Sequence, residues 1–144
     1  MILLILLLLP FFAGLLCWQI TRADEDSQVP RWIALGTMAI LLLLCLWQWI
    51  VGDYTLGTIG GAPDWQLETD LRWIPSMGIG LHLAMDGLSL IMVALTSFLG
   101  ILAVLCSWKE ITDRVGFFHL NLLWVLGGVV GVFLSIDLFL FFFF

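Results

Sequence analysis

The run from Leu81 to Leu105, LHLAMDGLSLIMVALTSFLGILAVL, constrains the fold more than any other part of the chain. It is longer than the roughly 20 apolar residues that a bilayer-crossing helix needs. It nevertheless holds Asp86 near its start and is followed at once by SWKEITDR, with the charges Lys109, Glu110, Asp113 and Arg114. Such a run needs lipid or other helices around it, and the rest of the chain supplies companions. Of 144 residues, 62% are hydrophobic and only 11% charged, too little polar surface for a water-soluble fold. The expected architecture is all-α, a polytopic transmembrane helix bundle with four complete spans plus the start of a fifth.

The spans read as Met1–Ile20, Trp32–Val51, Leu81–Ser107 and Gly116–Ser135, with LFLFFFF (Leu138–Phe144) beginning the fifth. The first lacks a basic start and a small-residue cleavage site, so a retained helix is expected rather than a secretory signal. Pro10 predicts a kink within it. Pro30 suits the first turn of the second helix. Trp18, Trp32, Trp47 and Trp49 fall near the ends of these two runs, where amphipathic rings favour the headgroup level. The chain stops inside an apolar run without a polar cap, so it is expected to be the first part of a longer polytopic protein.

Residues 52–80 form the one long segment outside the apolar runs. Its glycines and prolines interrupt any regular period, and Asp53, Asp64, Glu68 and Asp70 stand against Arg72. Trp65, Leu67, Leu71, Trp73 and Ile74 suggest that it lies against the bundle. At 29 residues it is too short to be a domain of its own. Arg22 and Arg31 in the first link, and Lys109 and Arg114 in the third, outnumber Arg72 in the second. By the positive-inside rule the first and third links are cytoplasmic, with the N-terminus and the 52–80 loop extracytoplasmic.

The net charge is -6, and no basic patch invites nucleic acid. Cys17, Cys45 and Cys106 show no paired spacing and no neighbouring histidine, so they read as small buried hydrophobes rather than metal ligands or disulfides. A glycine-rich phosphate loop, a dinucleotide fingerprint and a nucleophile paired with a base are all missing, so this stretch is expected to do no redox chemistry itself.

Five polar residues are candidates for chemistry. Asp86 is either the N-cap of the third helix or a carboxylate inside the membrane boundary, with His82 four residues earlier. Glu110 is either a topology-setting loop charge, spaced favourably from Arg114 for a helical pair, or an acid carried inward if the fourth helix starts near it. His119 and Asn121 add polar groups to that helix, serving either helix-to-helix hydrogen bonds or a water path. Asp137 marks a turn between the fourth and fifth helices or an acid on a route to the fifth. Gly127 and Gly131, at G-x-x-x-G spacing, are expected to let another helix approach closely.

At HLAMDGLSLIMVALTSFLGILAVLCSWKEI and GFFHLNLLWVLGGVVGVFLSIDLFLFFFF, together with the earlier CWQ and VPRWIAL, the sequence resembles the chain M family of proton-translocating NADH:quinone oxidoreductase, respiratory complex I. The bacterial chain is the counterpart of mitochondrial NADH dehydrogenase subunit 4. The resemblance implies an antiporter-like subunit of the bacterial inner membrane with inverted repeats starting at the fourth helix, so that 1–115 is an N-terminal region of three helices and the acidic loop, and 116–144 starts the first antiporter-like repeat. It also implies that the partners are other membrane-arm subunits, the lipid bilayer and protons. NADH, FMN, iron-sulfur clusters and quinone are expected in other subunits of the complex. The family's central glutamate lies just beyond the position of Phe144, and its buried lysines lie in later helices. Asp86 and Glu110 are then the leading carboxylates that matter in the intact subunit, with Asp137 third. Two alternatives are a homologous subunit of a multisubunit sodium/proton antiporter or membrane-bound hydrogenase, and a non-catalytic membrane packing element.

Overall fold

The computed structural model describes residues 2–23, 27–52, 67–74 and 79–144. In chain order these form α1 (Ile2–Ala23), α2 (Val29–Val51), β1 (Leu67–Ile74), β2 (Ile79–Met85), α3 (Gly87–Ser107), α4 (Val115–Leu134) and α5 (Leu138–Phe143). Helices α1 to α4 are each long and apolar enough to cross a membrane. At 1.5 Å per residue the shortest of them, α4, reaches about 30 Å, the thickness of the hydrocarbon core.

The four long helices pack as a ring, α1 on α2, α2 on α3, α3 on α4 and α4 back on α1, the last contact being the most extensive. Leu6, Met38, Leu90 and Leu123 meet inside it, fully buried. Ile50, Leu43, Leu99 and Val125 point outward and stay exposed. An apolar exterior of this kind is stable when lipid covers it, because the helices satisfy their own backbone groups.

The seam between α1 and α4 is built on small residues. A Cβ added at Gly116 would run into Thr21 Oγ1 and the Cys17 carbonyl oxygen. One placed on Gly127 would lie 3.1 Å from the Phe11 ring and 3.2 Å from Pro10. Helix α1 continues through Pro10, whose ring is buried against α4. The G-x-x-x-G pair thus serves close packing: Gly127 admits α1 and Gly131 admits the Phe144 ring.

The third helix starts later than the apolar run suggests. Residues 79–85 form a strand paired antiparallel with β1, from Leu67 opposite Met85 to Ile74 opposite Ile79, with a bulge between Arg72 and Ile74. The hairpin is tied to the bundle where Leu83 bridges to Ser135 and the Ile136 amide donates to the His82 carbonyl at 3.2 Å. Those bonds commit the backbone of residues 81–85, so the helix cannot extend backwards through them. The 21 residues from Gly87 are already enough to span. Of the acidic loop, the described residues 67–74 and 79–80 therefore join the bundle as paired strands; Asp53, Asp64 and Trp65 lie outside the described residues.

The loop between α3 and α4 is the short charged link expected from residue 108 on, and the alternative of a fourth helix starting near Glu110 is not found. Residues 108–114 form turns, and Arg114 adopts a left-handed backbone with φ 50° and ψ 43° just before α4. Without helical geometry the favourable Glu110–Arg114 spacing has no meaning. The ion pair among the described residues is instead His82–Glu68. Cys17 and Cys45 are buried, but Cys106 is exposed, on the outer face near the end of α3. It faces the surroundings of the bundle, not its core.

Candidate functional site

The two ends of the bundle carry different chemistry. At the hairpin end, Asp86 leaves β2 with an extended backbone and caps α3: its Oδ1 accepts from the Ser89 amide at 2.7 Å. Asp137 caps α5 in the same way, accepting from the Phe139 amide at 3.2 Å. Both carboxylates meet positive helix ends, which stabilises their charge. His82 lies in a strand and not in a helical turn with Asp86. Its Nε2 meets Glu68 Oε1 at 2.6 Å, a diagonal cross-strand pair on the exposed side of the hairpin.

The cap has a measurable worth. Asp86→Ala should destabilise the protein by about 1 kcal/mol. Asp86→Asn retains the acceptor and should recover most of that. Steric-trap unfolding in bicelles reads both variants; an asparagine as damaging as the alanine would show that the negative charge, not the cap, is what the position needs.

The opposite end, where α1 and α3 finish and α2 and α4 start, holds the polar interior. His119 is fully buried on α4, and its Nδ1 is 2.7 Å from the Val115 carbonyl, so Nδ1–H donates and Nε2 is left as an acceptor. Arg31, in the first turn of α2, donates from Nη2 to the Ile111 carbonyl at 2.8 Å, joining the first link to the third. Trp32 and Trp108 stack edge to face beside it, with centroids 5.1 Å apart. Thr21 donates to the Cys17 carbonyl at 3.1 Å, and the Cys17 thiol to the Pro30 carbonyl at 3.4 Å.

Two of the clefts at this end share Thr112. One of about 650 Å³ is lined by Trp18, Thr21, Arg22, Asp113, Arg114 and Phe117, with the Arg22 guanidinium 5.9 Å from the Trp18 ring centroid. The other, of about 440 Å³, is lined by Ser27, Gln28, Arg31, Trp108, Lys109 and Val115.

The structure separates the five sequence candidates. Asp86 and Asp137 share the hairpin end, while Glu110 is exposed in the turn at the other end, five residues before α4 begins. His119 and Asn121 do not line one path: two residues apart on a helix they face nearly opposite ways. Asn121 is exposed, its Nδ2 donating to the Phe117 carbonyl at 2.8 Å. Arg31 is the residue that sequence reasoning undervalued as a loop charge. The available signal was its place: a cation in the first turn opposes the helix dipole and calls for a compensating partner.

No protein-family model matches the chain. Over 139 residues, 96% of its length, it is 61% identical to NADH-quinone oxidoreductase subunit M of Escherichia coli (strain K12). It is 59% identical over 140 residues to the subunit M of Pseudomonas aeruginosa. The chain spans 27% of the length of each of these curated relatives and corresponds to their N-terminal part. Its fold is shared with a chain in the structure of the membrane-bound sulfane sulfur reductase, an archaeal respiratory membrane complex. That likeness has a TM-score of 0.73 at 16% identity, covering 99% of this chain and 27% of the other. With its four spanning helices, the chain is an integral membrane protein.

Proposed function

From its close kinship with the N-terminal part of NADH-quinone oxidoreductase subunit M, we propose that this chain supplies the first helices of a membrane-arm subunit that takes part in proton translocation coupled to NADH oxidation and quinone reduction. The observation that carries this reading is the 61% identity over 139 residues, 96% of the chain. The 16% likeness to a chain of the sulfane sulfur reductase complex speaks only to a shared bundle, so it gives the antiporter or hydrogenase alternative less support.

In this reading NADH, FMN, iron-sulfur clusters and quinone belong to other subunits, and the chain's partners are neighbouring membrane-arm subunits in the bacterial inner membrane. Residues 1–115 act as a frame, and 116–144 open the first antiporter-like repeat. Asp86, Glu110 and Asp137 are the carboxylates with the strongest claim to matter in the intact subunit, the first and last at the hairpin end, the second at the loop end.

The loop end faces the cytoplasm. Arg22, Arg31, Lys109 and Arg114 all gather there, in keeping with the positive-inside rule. A cysteine at Glu68, which is exposed on the hairpin, should react with a membrane-impermeant thiol reagent applied to intact spheroplasts. A cysteine at Lys109 should react only after the cells are broken; the reverse pattern would invert the orientation.

The test of the functional reading is purification. The full-length chain, tagged and extracted in mild detergent, should elute with flavin- and iron-sulfur-containing subunits that oxidise NADH. Elution as an isolated antiporter that moves cations in proteoliposomes without NADH would replace this reading with the alternative.

A further inference from the structure

Two buried side-chain nitrogens at the loop end have no hydrogen-bond partner among the described residues: Nε of Arg31 and Nε2 of His119. They are complementary. The Arg31 Nε–H can only donate, and His119 Nε2 must accept because Nδ1 already donates to Val115. Leaving either group unmatched is costly, and both are unmatched at the same end of the bundle.

The neighbouring polar side chains do not resolve this. Thr21 and Cys17 donate to backbone carbonyls in and beside α1, and Ser107 donates to the Val104 carbonyl within α3. Both nitrogens are buried, and the 440 Å³ cleft approaches them without His119 in its wall. Arg31 and Val115 both line the 440 Å³ cleft, and Val115 stands one helical turn before His119 and holds its imidazole.

We propose that this cleft ends in a bound-water site, in which a water molecule accepts from Arg31 Nε–H and donates to His119 Nε2. One water with these two partners satisfies both nitrogens and keeps donor and acceptor capacity for a second water toward the cleft. The buried imidazole is then joined by hydrogen bonds to the aqueous phase at the loop end. The site stands on packing and donor chemistry and does not depend on which ion the intact subunit moves.

Deuterium exchange at the imidazole C2 position, read peptide by peptide in the full-length protein in lipid nanodiscs, tests this because the exchange needs water at the ring. His82, on the exposed hairpin, is the reference in the same sample. Hydration of His119 should bring its rate within about tenfold of His82, whereas a ring sealed from water exchanges far more slowly. A rate more than about tenfold below that of His82 overturns the proposal. Thr112→Trp narrows the cleft from an exposed position and should slow His119 at least about fivefold while leaving His82 unchanged, which also reports that the fold is intact. An unaltered His119 rate in that variant overturns the route through the cleft.

Discussion

Gly116→Ala should abolish the close seam between α1 and α4 and destabilise the protein by at least about 3 kcal/mol, the upper end for forcing extra volume into a packed interior. The added methyl would meet Thr21 Oγ1 and the Cys17 carbonyl oxygen, and would lie 2.6 Å from Thr21 Cβ. A threonine hydroxyl can rotate aside, but the carbonyl is held in α1, so α4 must move as a body. That shift would also draw Val115 and His119 away from α2. Gly36→Ala is the matched control. Nothing lies within 4 Å of a Cβ at that position, so alanine should be neutral or stabilising by up to about 1 kcal/mol through helix propensity. Steric-trap unfolding of both variants in bicelles gives the comparison; equal stability would mean that the α1–α4 seam is looser than described.

Arg31→Ala should be the next most damaging change, costing about 2 kcal/mol through loss of a charge-assisted bond to the Ile111 carbonyl. That carbonyl belongs to the turn between α3 and α4, so the loss should loosen the junction of α2 with residues 108–114. Arg31→Lys should rescue only in part, because an ammonium cannot reproduce a planar guanidinium that reaches Ile111 with Nη2 while holding Nε inside. Hydrogen exchange of the amides in residues 108–114 should rise in Arg31→Ala and rise less in Arg31→Lys. Full rescue by lysine would reduce the role of Arg31 to that of a positive charge.

The spans were legible because lipid as solvent leaves a coarse signal: about 20 apolar residues in a row, bounded by tryptophans and charges. Four runs gave four helices, with α1 to Ala23 and α2 from Val29, each extending a few residues beyond the apolar core. The start of α3 was less clear, since hydrophobicity alone does not separate a buried strand from a helix. The alternation of Leu81, Leu83 and Met85 with His82 and Ala84 was the period-two signal, hidden by its continuity with the run that follows. Asp86 marked the true start, and its capping role was legible from its place before Gly87, Leu88 and Ser89.

The polar interior was harder to read because direction on a helix, not presence, decides a side chain's role. His119 and Asn121 look alike as polar residues in one span, yet only the histidine turns inward. Cys106 reads as a buried hydrophobe like Cys17 and Cys45, but it falls on the outer face of α3. Glu110 and Arg114 have a helical spacing in a segment that is not helical. Arg31 could not be assigned a partner from sequence, because the carbonyl that it reaches lies 80 residues away in a turn.

The most direct test of the functional account is NADH-driven proton movement in inverted membrane vesicles from a strain that lacks the gene, with and without the full-length chain restored. The account expects NADH-dependent acidification of the vesicle interior and the matching quinone reduction to be lost together in the deletion and recovered together on complementation. Unchanged NADH-driven acidification and quinone reduction in the deletion strain would contradict it.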